Sequence, residues 1–189
     1  MGFRKITVFL ILIAVLACDN SLNKKEKEKY ITKGKEVVQT SFKEMKGQLI
    51  AQMKEGGPQQ AIPFCNEQAL PITQALSEKF NVSIKRTSDK LRNQQNKPSE
   101  RELEIIQDYK NTITNNNELR PIVELDNYNK KHYYAPILLQ AKCLVCHGNL
   151  NETISSKTDS IVKSLYPNDK ATGYSEGDLR GIWSITFKN

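Results

Sequence analysis

Cys143, Leu144, Val145, Cys146 and His147 place two thiols three positions apart, with an imidazole directly after the second. On a helical turn this spacing brings both sulfurs within reach of the two vinyl groups of a porphyrin, and the next side chain is then presented to the iron. That is the pattern of covalent haem c attachment. Two other chemistries also use paired cysteines at this spacing, a dithiol redox couple and half of a zinc site. A zinc site needs a second half, and the remaining Cys65 and His132 share no paired spacing with each other. A thioredoxin-like pair belongs early in a chain, behind a first strand, rather than at position 143. Haem is the leading reading, with the other two as its alternatives.

The beginning of the chain reads as an address. After Arg4 and Lys5 comes an apolar run of twelve residues from Ile6 to Ala17, shorter than the about 20 residues a membrane-spanning helix requires. It is expected to be a signal-peptide core. Val15, Leu16, Ala17 and Cys18 resemble the lipobox of bacterial lipoproteins, which implies cleavage before Cys18 and lipidation of its thiol. The alternative is an ordinary leader in which the cysteine is incidental. The expected organisation is a leader over 1–17, a lipid-anchored polar tether over 18–33, and a domain over 34–189. The domain would then stand outside the cytoplasm, held to a membrane of the cell envelope.

With 189 residues and 38% apolar content, one core is affordable and two enzyme-sized domains are not. The 28 basic residues exceed the 21 acidic ones only modestly, and 7% aromatic content supplies no basic-aromatic stripe, so a nucleic-acid partner is not expected. The run Lys24 to Lys29, with interleaved Glu26 and Glu28, reads as a solvated tether.

The elements that must position the thiols follow from periodicity. Val37, Val38, Phe42, Met45, Leu49 and Met53 recur at helical spacing, predicting a long amphipathic helix that ends at Gly56, Gly57 and Pro58. Met45 and Met53 lie on its apolar stripe and are core by default, with iron ligation as the alternative. A second helical region covers 59–80, interrupted at Pro63 and Pro71. Residues 82–87 alternate as a half-buried strand does, and 90–98 form a polar loop. Ser99 and Glu102 make a capping box for a helix that buries Leu103, Ile105, Ile106 and Tyr109. Strands are predicted at 122–125 and 132–135, joined by a turn at 126–129, and a last one at 179–187. The segment 149–170 is ambiguous.

Cysteine arithmetic singles out Cys65. With Cys18 lipidated and Cys143 and Cys146 as thioethers, it is the one of four cysteines left without a covalent role. Such a thiol in an oxidising compartment is either buried as a small hydrophobe or put to use as a ligand.

Ala61, Ile62, Pro63, Phe64, Cys65 and Ala69 carry one part of a family resemblance. Ile84 to Ser88 with Leu91, Arg92, Asn93, Asn96 and Pro98 carry a second, and Cys143 to Gly148 a third. The fourth is Tyr166, Pro167, Asp169, Ala171, Gly173, Tyr174, Gly177, Asp178, Arg180 and Gly181. Together they resemble the Tll-like haem-c domain family across nearly the whole domain. Gln94 departs from the pattern, where proline is expected in a loop. The resemblance implies an α+β, PAS-like fold in which an antiparallel sheet is flanked by helices. It also implies one haem whose iron is bound by His147 and a cysteine, and Cys65 occupies the matching position. A thiolate donates more charge to iron than a thioether and favours the ferric state, which suits a redox or small-ligand sensor or relay. Such a protein needs a redox or signalling partner. An electron-transfer cytochrome of the periplasm is the alternative. A small haem oxidoreductase requires an acid-base residue over a vacant coordination position, and only His132 is on offer. Arg86, Arg92 and Arg180 are candidates for the haem propionates, because a guanidinium fork matches a carboxylate.

Overall fold

The computed structural model describes residues 22–188; the leader and the lipidation candidate Cys18 lie outside the described residues. Helix α1 (Lys24–Phe80) opens on a capping box in which Glu26 N donates to Asn23 Oδ1 over 3.0 Å and the Glu26 carboxylate returns the bond. It starts well before Gly34, and Tyr30 and Ile31 already pack against the core.

At 1.5 Å per residue, a straight helix of 57 residues would reach about 85 Å. Instead Tyr30 and Phe80 line the same cleft, and Val37 and Leu76 share one core cluster. The chain therefore doubles back into a helical hairpin, and it does so at Gly56 (φ −151°, ψ 18°) and Gly57 (φ 66°, ψ −156°). Gly57 adopts a conformation that any Cβ would strain. Pro58 restarts the helix in its first turn, where no intrahelical donor is needed. Across the reversal Gln60 Nε2 donates to Gln52 Oε1 over 3.0 Å. The two arms are residues 24–55 and 58–80. The interruptions expected at Pro63 and Pro71 are absent: the second arm stays helical through both, with Ala61, Ile62, Thr73 and Leu76 buried along it.

Asn81, at φ 50°, ends the hairpin and feeds β1 (Val82–Thr87). After a polar loop come α2 (Glu100–Thr114), β2 (Ile122–Leu125), β3 (Lys131–Leu138), α3 (Leu144–His147), α4 (Ser156–Leu165) and β4 (Leu179–Phe187). The four strands form one antiparallel sheet in the order β1-β4-β3-β2. Alternation along the strands gives the sheet two apolar faces. One carries Val82, Ile84, Tyr133, Trp183, Ile185 and Phe187 and is covered by the hairpin. The other carries Tyr134 and Ile182 and is covered by Ile105, Ile106 and Tyr109 of α2.

Close approach of the hairpin to the sheet depends on Gly34, since a Cβ there would fall 2.3 Å from the Tyr133 ring. On α2, the Ser99/Glu102 capping box forms as expected. Leu103, expected in the core, is instead 43% exposed because it lies off the Ile105–Ile106–Tyr109 face. The molecule is thus an α+β, PAS-like fold, an antiparallel sheet flanked by helices with a long N-terminal helical element.

Candidate functional site

Beyond β3, a short 3₁₀ turn, Ala141–Cys143, leads into the single helical turn of α3, so Cys143, Cys146 and His147 sit on consecutive tight turns. Gly148 closes the turn by donating its N–H to Leu144 O over 2.8 Å. A Cβ there would lie 1.9 Å from Thr153 Oγ1 and 2.8 Å from the backbone Leu144 O, so a larger residue would force the turn to shift.

A strap formed by residues 169–174 holds this turn from outside. Tyr174 N donates to His147 O (3.1 Å) and Gly173 N to Gly148 O (2.8 Å). His147 Nδ1 lies 2.7 Å from Ala171 O. A carbonyl has no proton to give, so Nδ1 is the protonated nitrogen. Burial, followed by the nearby Arg92 and Arg180, holds the imidazole well below its ordinary pKa, and the bond to Ala171 only partly opposes them. The ring is therefore neutral, and its Nε2 lone pair is free to bind a metal, the usual state of a ligating histidine.

Arg92 ties three segments together. Its Nε donates to Asp169 Oδ1 and its Nη2 to Asp169 Oδ2, both at 3.1 Å, and Nη2 also donates to Cys146 O at 2.6 Å. Asp169 Oδ1 in turn accepts from Ala171 N at 2.9 Å, so the carboxylate positions the carbonyl that orients His147. With side-chain exposures of 13% and 7%, the Arg92–Asp169 pair is largely buried. The guanidinium considered for a propionate thus finds its carboxylate inside the protein.

Cys65 reaches the same place from the second arm of the hairpin. Burial raises its thiol pKa, while Arg86 and Arg92 pull it back. Burial likewise raises the Cys146 thiol; Arg92 opposes this, and Cys65 and Cys143 add to it. Cys146 packs on the cluster Ile62, Val162 and Tyr166, which joins the second arm to α4. Cys65, Cys143 and Cys146 are all free thiols. The second arm and the Cys143–His147 turn, distant in sequence, thereby bring three thiols and one neutral imidazole into one half-buried region.

The region carries excess positive charge. Arg86 stacks 5.7 Å from Trp183 and donates no hydrogen bond among the described residues. Burial brings its pKa down to about 10, with Cys65 opposing that fall. Arg180 donates through Nη1 to Lys90 O at 3.0 Å and lies 5.8 Å from the Tyr174 ring, over which Lys90 Nζ also sits at 4.2 Å. Asp169, already committed to Arg92, is the acidic partner at hand. Among the described residues neither Arg86 nor Arg180 forms an ion pair, an arrangement that suits an anionic ligand. Among the described residues no three His, Cys, Asp or Glu side chains are grouped to hold a bare metal ion. The donor set fits an iron porphyrin instead: two thiols to attach it, two ligands for its iron and cations for its propionates.

The other candidates lie elsewhere. His132 is on β3, held between Asp126 Oδ2 and Thr186 Oγ1 at 3.1 Å each, in a cleft with Glu102 and Glu124. Met45 packs against the core beneath the hairpin. Trp183 is core, and Asp178 shapes a turn by accepting from Ser175 N at 2.7 Å. Reasoning from the sequence left Asp169, Ala171, Tyr174 and Lys90 without roles. Their place among the residues that carry the family resemblance was the signal for the first three.

A family model described as Tll0287-like matches residues 20–188 of the chain. Among solved structures, the crystal structure of the cyanobacterial heme-protein Tll0287 superposes with a TM-score of 0.61 at 21% identity, covering 89% of this chain and 98% of that one. No curated protein matches. The family match spans the hairpin, the sheet and the Cys143–His147 turn together, and the chain belongs to the Tll0287-like family.

Proposed function

We propose that this protein carries one haem c, attached through Cys143 and Cys146 with His147 and Cys65 as axial ligands, and acts as a redox or small-ligand sensor or relay in the cell envelope. When bound, the haem supplies a one-electron couple and an iron able to take a small ligand. Everything else is supplied by the chain. His147 offers a lone pair already oriented by Ala171 and Asp169. Cys65 offers a thiol whose pKa burial raises, with the charges of Arg86 and Arg92 partly opposing that rise. Arg86 and Arg180, neither in an ion pair among the described residues, are the cations left to meet propionates.

The observation that carries the reading is the convergence of Cys65 with the Cys143–His147 turn, which no local pattern imposes. A solved family structure is of a heme-protein, which points the same way. A thiolate stabilises ferric iron, so Cys65 is the ligand most weakened by reduction, and a labile ligand suits sensing better than rapid shuttling. His132, distant and tied to Asp126, offers no acid-base group for an oxidoreductase.

The test is expression alongside a cytochrome c maturation system. Haem staining on a denaturing gel is expected for the wild-type chain and lost in the Cys143→Ala, Cys146→Ala double variant. Optical spectra in both oxidation states are expected to change in Cys65→Ala. A wild-type chain that never retains colour after denaturation overturns the reading. Spectra with two strong ligands unchanged between oxidation states favour plain electron transfer instead. Lipidation of Cys18 is tested by labelled fatty acid, whose incorporation is expected to vanish in Cys18→Ala.

A further inference from the structure

The first arm of the hairpin leaves large apolar side chains uncovered towards its tip: Phe42 is 44% exposed, and Leu49 and Ile50 are each 38% exposed. Near its base the same arm buries Gly34, Val37 and Ser41 against the sheet. At roughly 100° per residue, Phe42 and Leu49 fall together on one flank of that buried line, and Ile50 falls on the opposite, outward side.

Three observations place the Phe42–Leu49 flank. Lys46, one turn from each of them, holds its ammonium 5.3 Å from the centre of the Phe42 ring. Lys142, beside Cys143, is the neighbour that holds the Lys46 ammonium below its ordinary pKa. The hairpin register, fixed by Gln52 meeting Gln60 and by Tyr30 lying beside Phe80, brings Lys46 and Leu49 level with Cys65. The exposed flank thus borders the region between Cys143 and Cys65, and two lysines without an acidic partner among the described residues stand at its rim.

From this placement we propose that Phe42 and Leu49 form the apolar wall of the cofactor cleft on the hairpin side, and that Lys46 and Lys142 form its cationic rim. The occupant is a flat apolar ring with acidic substituents carried on Cys143 and Cys146, so the inference rests on the reading above. The wall excludes water from the Cys65 side of the iron. Ile50, equally exposed but turned away, takes no part.

The holoprotein tests this with Phe42→Gln and Leu49→Gln, and with Ile50→Gln as the matched control. Because both wall residues are solvent-exposed before haem is added, the haem-free variants are expected to melt as the wild type does. Denaturing-gel haem stain is expected to persist in all three. A wild-type chain without stain rejects the proposed function, whereas stain with silent wall variants rejects this inference alone. With the wall breached, the ferric absorption bands are expected to shift and cyanide to bind several-fold faster in the two wall variants, with Ile50→Gln unchanged. Equal behaviour of all three overturns the assignment. So does a change in oligomeric state with unaltered spectra, which would make the flank a self-association face. If Lys46→Ala and Lys142→Ala shift neither the bands nor the midpoint potential, the rim is removed from the proposal.

Discussion

The two ends of the helical hairpin share one secondary structure, yet they are built for different purposes. At the base Val37, Leu76, Val82 and Phe187 are buried against one another, and the Gly34 backbone meets the Tyr133 ring. Towards the tip the same arms carry Phe42 and Leu49 uncovered and a thiol at Cys65, with Arg86 and Arg180, neither in an ion pair among the described residues, close by. The base is a finished core, and the tip is one side of a binding site. Stability comes from apolar area removed from water, whereas a site keeps polar groups and apolar surface in reserve for a ligand.

The largest expected effect breaks the contrast at the site itself. Arg92→Ala strands Asp169 in a buried position and frees the carbonyls of Cys146 and Ala171, at a cost of about 3–5 kcal/mol. Chemical denaturation of the haem-free protein measures it, and a cost no larger than that of an exposed pair would show that the strap is not structural. Next comes the base, where Gly34→Val drives a side chain into the Tyr133 ring and is expected to cost about 3 kcal/mol by the same measurement. Gly57→Ala strains the reversal that sets the two arms in register, by about 1–2 kcal/mol.

The smallest effect is a reference on the far face of the sheet. Burial raises the Glu102 carboxyl, but Lys85, Ser99 and Ser184 more than offset this, and its pKa ends below the ordinary 4.5. A carboxylate depressed in the folded state contributes stability above its unfolded pKa and loses it as pH falls through the folded one. Melting temperature is therefore expected to fall on acidification below about pH 4.5, and less steeply in Glu102→Gln.

Much of this was legible in the sequence for local reasons. Strand β1 lies where alternation places it, β2 and β4 lie where strands were predicted, and the Ser99/Glu102 box starts α2 because both partners sit within one turn. The reversal at Gly56 and Gly57 was legible only as a helix end, because periodicity reports which residues share a face and not where the next helix goes. Phe42 and Leu49 matched the apolar stripe and are exposed nonetheless, since pattern does not say how far the covering sheet extends. Leu103 fails for a different reason, lying off the face that Ile105, Ile106 and Tyr109 bury.

By itself the sequence determined the Cys143–His147 turn: two thiols and an imidazole at fixed offsets need only one tight turn to converge. It also determined that Cys65 stood apart from that turn. The tertiary structure decided that Cys65 comes to the same region, that His147 keeps its proton on Nδ1, and that Arg92 binds Asp169 rather than standing free. Each of these depends on groups tens of residues apart meeting to within a few tenths of an ångström. Strand register and the hairpin reversal fix such distances, and no short-range pattern encodes them.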